Sequence, residues 1–177
     1  MEKKNNFIIL ILAIVIFVAF FLPWVSVESE AVGQFSKLIT GEKQASVMKI
    51  SAFRVPIMAN GPDARLMISI IEIFNPNITN ADKKSYLIWS IPLLAVILRL
   101  LNYFFAKNKW LNFVFALIGI LIFAVATYKI KTTDLNKVVI NVKTAAGLWL
   151  TLWGYLGIGL VSLITFAKLA FAKANKK

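Results

Sequence analysis

The chain of 177 residues has no cysteine and no histidine, and it has only eight acidic residues. The absence of cysteine excludes disulfide bonds, thiolate nucleophiles and thiolate-held metals. General acid–base catalysis would fall to Asp or Glu, and all eight acids lie outside the long apolar runs. The sequence also lacks a glycine-rich phosphate loop and any metal-ligand spacing. We therefore expect no enzyme, no cofactor and no metal site.

The chain contains more apolar residues than a soluble domain does. Hydrophobic residues make up 59% of the sequence and the mean hydropathy is +0.77, against roughly 45–50% apolar residues in soluble domains. The net charge is +12, and most basic residues lie near the ends of apolar runs. That placement favours anionic lipid headgroups over nucleic acid. The expected partners are membrane lipids and another membrane protein or a second copy, with no nucleic acid.

Four apolar runs are long enough to cross a bilayer, whose hydrocarbon core needs about 20 helical residues. We predict a single domain, residues 1–177, with spans at about 7–25, 86–106, 110–128 and 145–167 and with extracytoplasmic loops at 26–85 and 129–144. The link 107–109 is so short that the second and third spans must form an antiparallel hairpin. The first run also resembles a signal peptide, but its cleavage site would be poor, which favours an uncleaved helix.

The charged residues that flank the spans predict the orientation of the chain in the membrane. Lys3 and Lys4 precede the first span, whereas Glu28 and Glu30 follow it, which places both termini in the cytoplasm. The four lysines of loop 129–144 argue against this orientation. The use of Lys, Asn and Ile is typical of an AT-rich microbial genome, so we expect an integral protein of the bacterial cytoplasmic membrane.

Both extracytoplasmic loops carry structural patterns. Residues 24–30, 46–53 and 137–143 alternate apolar and polar side chains, which predicts strands that pair into one small sheet. Residues 62–74 predict an amphipathic helix that lies on the outer membrane surface, caps the bundle or packs under that sheet. The expected fold is an all-α membrane protein, a four-helix transmembrane bundle with a small extracytoplasmic β-sheet and an amphipathic helix.

A local passage marks the transition from the first helix to the first strand. It reads Leu22-Pro23-Trp24-Val25-Ser26-Val27, and with the loop architecture it resembles the claudin-like tetraspan membrane proteins. The resemblance implies their fold and a role in adhesion, barrier or accessory-subunit work, and it implies no catalytic residues.

Arg99 is the only charged residue inside a predicted span, and Asn102 and Asn112 lie near the same helix ends. Intramembrane charge is costly and usually functional. One interpretation is a polar cluster that recognises a lipid phosphate or a partner. The other is that the asparagines lock the hairpin while Arg99 snorkels to the interface.

The fourth span carries a stripe of small residues, which let membrane helices approach closely. The stripe serves either packing within the chain or a helix of another protein, and it consists of Gly147, Thr151, Gly154, Gly157 and Gly159.

These patterns predict a non-catalytic multi-pass membrane protein, a scaffold or accessory subunit that recognises partners through its extracytoplasmic cap. The alternative is a small oligomeric channel or transport component.

Overall fold

The structure, a computed structural model, describes residues 2–28, 47–62, 64–133, 136–137 and 140–174. Its helices are α1 (Glu2–Phe21), α2 (Arg54–Ala59), α3 (Ala64–Phe74), α4 (Ala81–Lys84), a 3-10 helix (Ser85–Trp89), α5 (Ser90–Phe105), α6 (Lys109–Thr132) and α7 (Ala146–Ala174). Its strands are β1 (Pro23–Glu28), β2 (Val47–Ser51), β3 (Asn136–Lys137) and β4 (Ile140–Thr144).

Three helical segments in the described residues are long and apolar enough to cross a membrane. They are Ala81–Phe105, Lys109–Thr132 and Ala146–Ala172. Helix α1 contributes a shorter apolar stretch, Asn5–Phe21. The prediction of a membrane protein with transmembrane helices is therefore confirmed.

The chain divides into two compact units. The helical unit comprises Met1–Val18, Ser90–Tyr128 and Leu150–Lys177, and the sheet unit comprises Ala19–Trp89 and Lys129–Trp149. Each unit has its own hydrophobic core.

The first helix ends earlier than the predicted span 7–25. It stops at Phe21, and the chain is extended from Pro23 onward, because a residue before proline disfavours the α conformation. The indole Nε1 of Trp24 donates a hydrogen bond to the carbonyl of Ala19 at 3.0 Å, which satisfies a carbonyl at the helix end. Residues 23–25, which the prediction placed at the end of the first span, are therefore the first residues of strand β1.

The other spans also differ at their ends. The second begins as the 3-10 helix and becomes α-helical at Ser90, two residues before Pro92. Proline fits the first turn of a helix, where its missing N–H would have no partner in any case. Helices α6 and α7 extend beyond the predicted ends at 128 and 167.

The sheet unit joins both loops in one antiparallel sheet with the strand order β2-β1-β4-β3. Val27 of β1 is opposite Met48 of β2 on one side and Val142 of β4 on the other. The predicted pairing between the two loops is confirmed. Residues 29–30, 46 and 138–139 of the predicted strands lie outside the described residues, and residues 54–59 form helix α2, which the pattern did not indicate.

The amphipathic helix is α3, at Ala64–Phe74 instead of 62–74, and residue 63 lies outside the described residues. Its apolar face is buried in the core of the sheet unit, where Met67, Ile70 and Ile73 are at most 6% exposed. The apolar face of α3 therefore packs within the sheet unit, which is one of the three alternatives that the sequence left open.

The helical unit has an apolar core and also exposes many apolar side chains on its outside. Its core consists of Ile9, Ile16, Ala95, Leu98, Phe115, Tyr155 and Ile158. Leu93, Phe104 and Val125 are each more than half exposed. This distribution is expected where hydrocarbon, which is as apolar as leucine, surrounds the helices.

Candidate functional site

The hairpin between α5 and α6 is closed by asparagine side chains. Asn108 caps α6, since its Oδ1 accepts hydrogen bonds from the backbone N–H groups of Trp110 at 3.1 Å and Leu111 at 3.3 Å. Asn112 Nδ2 donates to the carbonyl oxygens of Ala106 and Asn108, each at 2.9 Å. These bonds satisfy two carbonyls of the 106–108 link, just after the end of α5.

Asn102 extends this network into the helical unit. Its Nδ2 donates to Asn112 Oδ1 at 3.4 Å, and the two residues are only 2% and 1% exposed. Asn102 Oδ1 is buried and accepts no hydrogen bond from the described residues. The two asparagines therefore connect α5, the link and α6 through side-chain hydrogen bonds, and Asn102 Oδ1 is left as a buried acceptor.

A second polar pair connects α1 to α7. Asn5 Nδ2 donates to Thr165 Oγ1 at 2.9 Å, and that hydroxyl in turn donates to the carbonyl of Val161 at 2.8 Å. A small pocket lies between this pair and Asn102. Its volume is about 10 Å³, which matches one water molecule and excludes a larger solute.

Arg99 lies one helical turn before Asn102 on α5. Its guanidinium carbon is 5.4 Å from the ring centroid of Tyr103, within cation–π range. Its Nε and Nη1 atoms are buried and have no acceptor among the described residues. The structure thus places Arg99, Asn102 and Asn112 in one unit, but it brings only the two asparagines into contact.

Two glycines of the predicted stripe pack against α1. A methyl group added at Gly154 would lie 2.5 Å from Ile16 Cγ1, and one at Gly157 would lie 3.0 Å from both terminal methyl groups of Leu12. Thr151, one turn before Gly154, is buried at 2% exposure. These positions thus give α1 a close approach within the same chain.

Gly159 faces a different helix. A methyl group there would lie 3.2 Å from the carbonyl of Ala116, and one at Gly119 of α6 would lie 2.9 Å from Gly159 Cα. Helices α6 and α7 therefore cross with their backbones in contact. One face of α7 therefore packs closely against α1, and another face packs closely against α6.

Gly147 belongs to the sheet unit. A methyl group added to it would lie 2.7 Å from both the Leu22 carbonyl oxygen and Trp24 Cδ1. The neighbouring N–H of Ala145 donates to the Trp24 carbonyl at 2.8 Å. This glycine therefore makes room for the corner where α1 turns into β1.

Two further polar residues lie in the interior of the helical unit, and the sequence pattern did not single out the first of them, Tyr155. Tyr155 is 1% exposed, and its hydroxyl donates to the carbonyl of Ile91 on α5. Ser162 is fully buried, and its hydroxyl oxygen has no partner among the described residues. In the sequence, Tyr155 and Ser162 can be recognised as polar side chains within an apolar run, each within one or two helical turns of a glycine.

Comparison of the chain with models of protein families, with curated proteins and with solved structures finds no match. The geometry alone therefore supports the functional inference.

Proposed function

We propose that α1 is a fourth transmembrane span and that the protein is a four-span scaffold or accessory subunit. The apolar stretch of helix α1 is Asn5–Phe21, which at 1.5 Å per residue extends about 26 Å; its 17 residues match the short end of the roughly 17–25 that a transmembrane helix needs. One face packs into the helical unit through Ile9 and Ile16, which are at most 1% exposed. The opposite face carries large exposed apolar side chains, namely Phe7, Ile11, Ile14, Phe17, Val18 and Phe21.

Four spans put both termini and the 106–108 link on one side of the membrane. That side then carries Lys3, Lys4, Lys107, Lys109 and the C-terminal lysines. An excess of basic residues in short segments marks the cytoplasmic side. The orientation is thus both termini inside, with the protein in a bacterial cytoplasmic membrane and with the strands on the outer side.

The chain has no cysteine, so single introduced cysteines report its orientation directly. Lys3→Cys and Lys107→Cys should react with a membrane-impermeant maleimide only after the cells are opened, whereas Lys131→Cys should react in intact cells. Labelling of Lys3→Cys in intact cells, with Lys107→Cys protected, would show that α1 does not span.

The way in which the sheet unit is folded supports a role in recognising a partner protein. Strand β1 follows α1 directly and pairs with strands from both loops. The inner face of the sheet is closed by Val27, Ile50 and Val142, each at most 1% exposed. The described parts of the two connections therefore share one sheet and one core, and such a preorganised surface can recognise a partner at little entropic cost.

The outer face of this sheet carries positive charge. Ser26 of β1 is opposite Lys49 of β2 and Lys143 of β4. Both lysines are exposed, and two strand spacings place their Cα atoms about 10 Å apart. An acidic surface on another membrane protein, or on a second copy, is complementary to this row, and complementary charge steers association and selects partners.

Copurification after chemical crosslinking tests this role. The double variant Lys49→Glu/Lys143→Glu should lose a stoichiometric partner that the wild type retains. Arg65→Glu changes another exposed cation of the same unit and should retain it. Equal partner recovery from all three proteins would refute the role of the sheet face. Ion or solute flux through the purified protein in liposomes would support the oligomeric channel instead.

The claudin-like resemblance is part of this proposal. Its residues, Leu22 to Val27, span the end of α1 and most of β1. A strand that continues directly from the first span supports the resemblance, which implies the same class of adhesion or accessory role.

A further inference from the structure

Phe53, which lies in the first loop between β2 and α2, is held between the ends of two apolar helical segments. Its backbone N–H donates to the carbonyl of Phe20 in α1 at 3.3 Å, and its own carbonyl accepts a hydrogen bond from the indole Nε1 of Trp89 at 3.3 Å. Its ring is nearly parallel to the Trp89 ring, with the centroids 5.9 Å apart and an interplanar angle of 7°. The Phe21 ring centroid lies 5.3 Å from that of Phe53 on the side of α1. Both segments therefore fix the position of Phe53.

The depth of Trp89 in the membrane determines the depth of Phe53. Trp89 belongs to Ala81–Phe105, one of the segments that are long and apolar enough to cross a membrane. It directly precedes α5, whose 16 residues extend about 24 Å. Because the hydrocarbon core is about 30 Å thick, the Trp89 ring lies near the boundary opposite the 106–108 link, where tryptophan is favoured. The stacked ring of Phe53 lies at the same level.

The exposed face of α2 extends this apolar surface. Phe53 has helical backbone angles, φ −57° and ψ −38°, so Ile57 lies one turn further along the same face. Phe53 and Ile57 are 38% and 51% exposed. On the other side of Trp89, the ring of Tyr86 contacts it edge to face with centroids 5.5 Å apart. We refer to Phe53, Ile57, Tyr86 and Trp89 as the apolar patch.

Cations accompany the apolar patch in the sequence. Arg54 immediately follows Phe53, and Lys83 and Lys84 shortly precede Tyr86. All three cations are exposed. At a membrane surface, long basic side chains extend to the lipid phosphates while their apolar neighbours enter the hydrocarbon. An apolar patch that is accompanied by cations in this way matches a lipid surface.

We propose that Phe53 and Ile57 insert into the outer leaflet of the bilayer beside the second span, so that lipid covers the apolar patch. Helix α2, instead of the amphipathic helix α3, is then the helix of the first loop that contacts the membrane. Lipid is favoured over a partner protein because Tyr86 and Trp89 belong to the membrane-spanning segment itself. The inference rests on the proposed orientation only for the choice of leaflet, and it does not depend on partner recognition by the sheet.

The depth of single fluorescent probes in phosphatidylcholine vesicles tests this contact. The chain has no cysteine, so the purified full-length Ile57→Cys variant can be labelled with a nitrobenzoxadiazole maleimide and reconstituted. Its emission should shift to shorter wavelength, and lipids that carry a nitroxide near the headgroup should quench it, whereas aqueous iodide should have little effect. Because both leaflets carry the nitroxide lipid, the result does not depend on the orientation of the protein.

Val47→Cys is the matched control, since Val47 is also apolar and 45% exposed. Val47 is opposite Glu28, at the far end of the six-residue strand β1 and about 17 Å from the start of that strand. Its probe should respond to iodide and not to the nitroxide lipids. Equal nitroxide quenching of the Val47 and Ile57 probes would refute a specific contact through α2.

Leu87→Cys provides the depth reference, because Leu87 is 68% exposed within the span Ala81–Phe105. Nitroxide quenching at Leu87 together with iodide quenching at Ile57 would overturn the proposal and leave the span intact. An Ile57 probe that neither quencher reaches would also overturn it, since protein would then cover the patch. Arg54→Cys, three positions before Ile57 on the same helical face, repeats the measurement if Ile57→Cys does not yield folded protein.

Discussion

The crossing of α6 and α7 at Gly119 and Gly159 allows a quantitative test of the fold. A methyl group at Gly119 would lie 2.5 Å from the carbonyl oxygen of Tyr155 and 2.8 Å from the backbone nitrogen of Gly159. Carbon atoms prefer neighbours at about 3.5–4 Å, so Gly119→Ala must push the two backbones apart by about 1 Å.

Gly157 provides the matched control. The three atoms nearest to a methyl group there all belong to the Leu12 side chain. Its two terminal methyl groups would lie at 3.0 Å, and these can rotate away. Overpacking a rigid contact costs about 1–3 kcal/mol, and alanine regains up to about 1 kcal/mol through its helix propensity. Gly119→Ala should therefore lower the free energy of unfolding by about 1–2 kcal/mol, whereas Gly157→Ala should be nearly neutral.

Thermal unfolding in detergent, followed by tryptophan fluorescence, measures this difference. About 2–4 °C per kcal/mol is expected for a chain of this size, so Gly119→Ala should lower Tm by about 2–8 °C and Gly157→Ala by less than about 2 °C. Equal Tm values for Gly119→Ala and the wild type would refute the backbone contact. An equally large loss in Gly157→Ala would show that the distinction between backbone and side-chain neighbours is wrong.

Two other variants test the buried polar contacts by the same thermal assay. Asn112→Ala removes a side chain that donates to two carbonyls and accepts from Asn102, and it should lower the free energy of unfolding by about 1–3 kcal/mol; an unchanged Tm would contradict these bonds. Trp24→Phe loses the hydrogen bond to Ala19 and should cost about 1 kcal/mol, whereas Trp153→Phe, at a ring 57% exposed, should cost almost nothing.

The membrane location follows from the linear sequence because it depends only on the length and composition of the apolar runs. The strands were also predictable, since alternation in Val25–Val27 and Ile140–Val142 reports one buried face wherever the partner strand lies. Helix α3 was predictable for the same reason, because its apolar residues recur with the helical period. Such signals are local, and three-dimensional contacts only confirm them.

The positions at which helices and strands end depend on contacts between segments that are distant in the sequence. The same contacts decide which neighbours a given residue packs against. The pattern extended the first span to residue 25, but the hydrogen bond from Trp24 and the space left by Gly147 produce a corner there instead. The spacing of glycines along the sequence does not indicate which helix each of them faces. Gly154 and Gly159 were therefore assigned to a single stripe. The fold separates them, because α7 turns one side to α1 and another to α6.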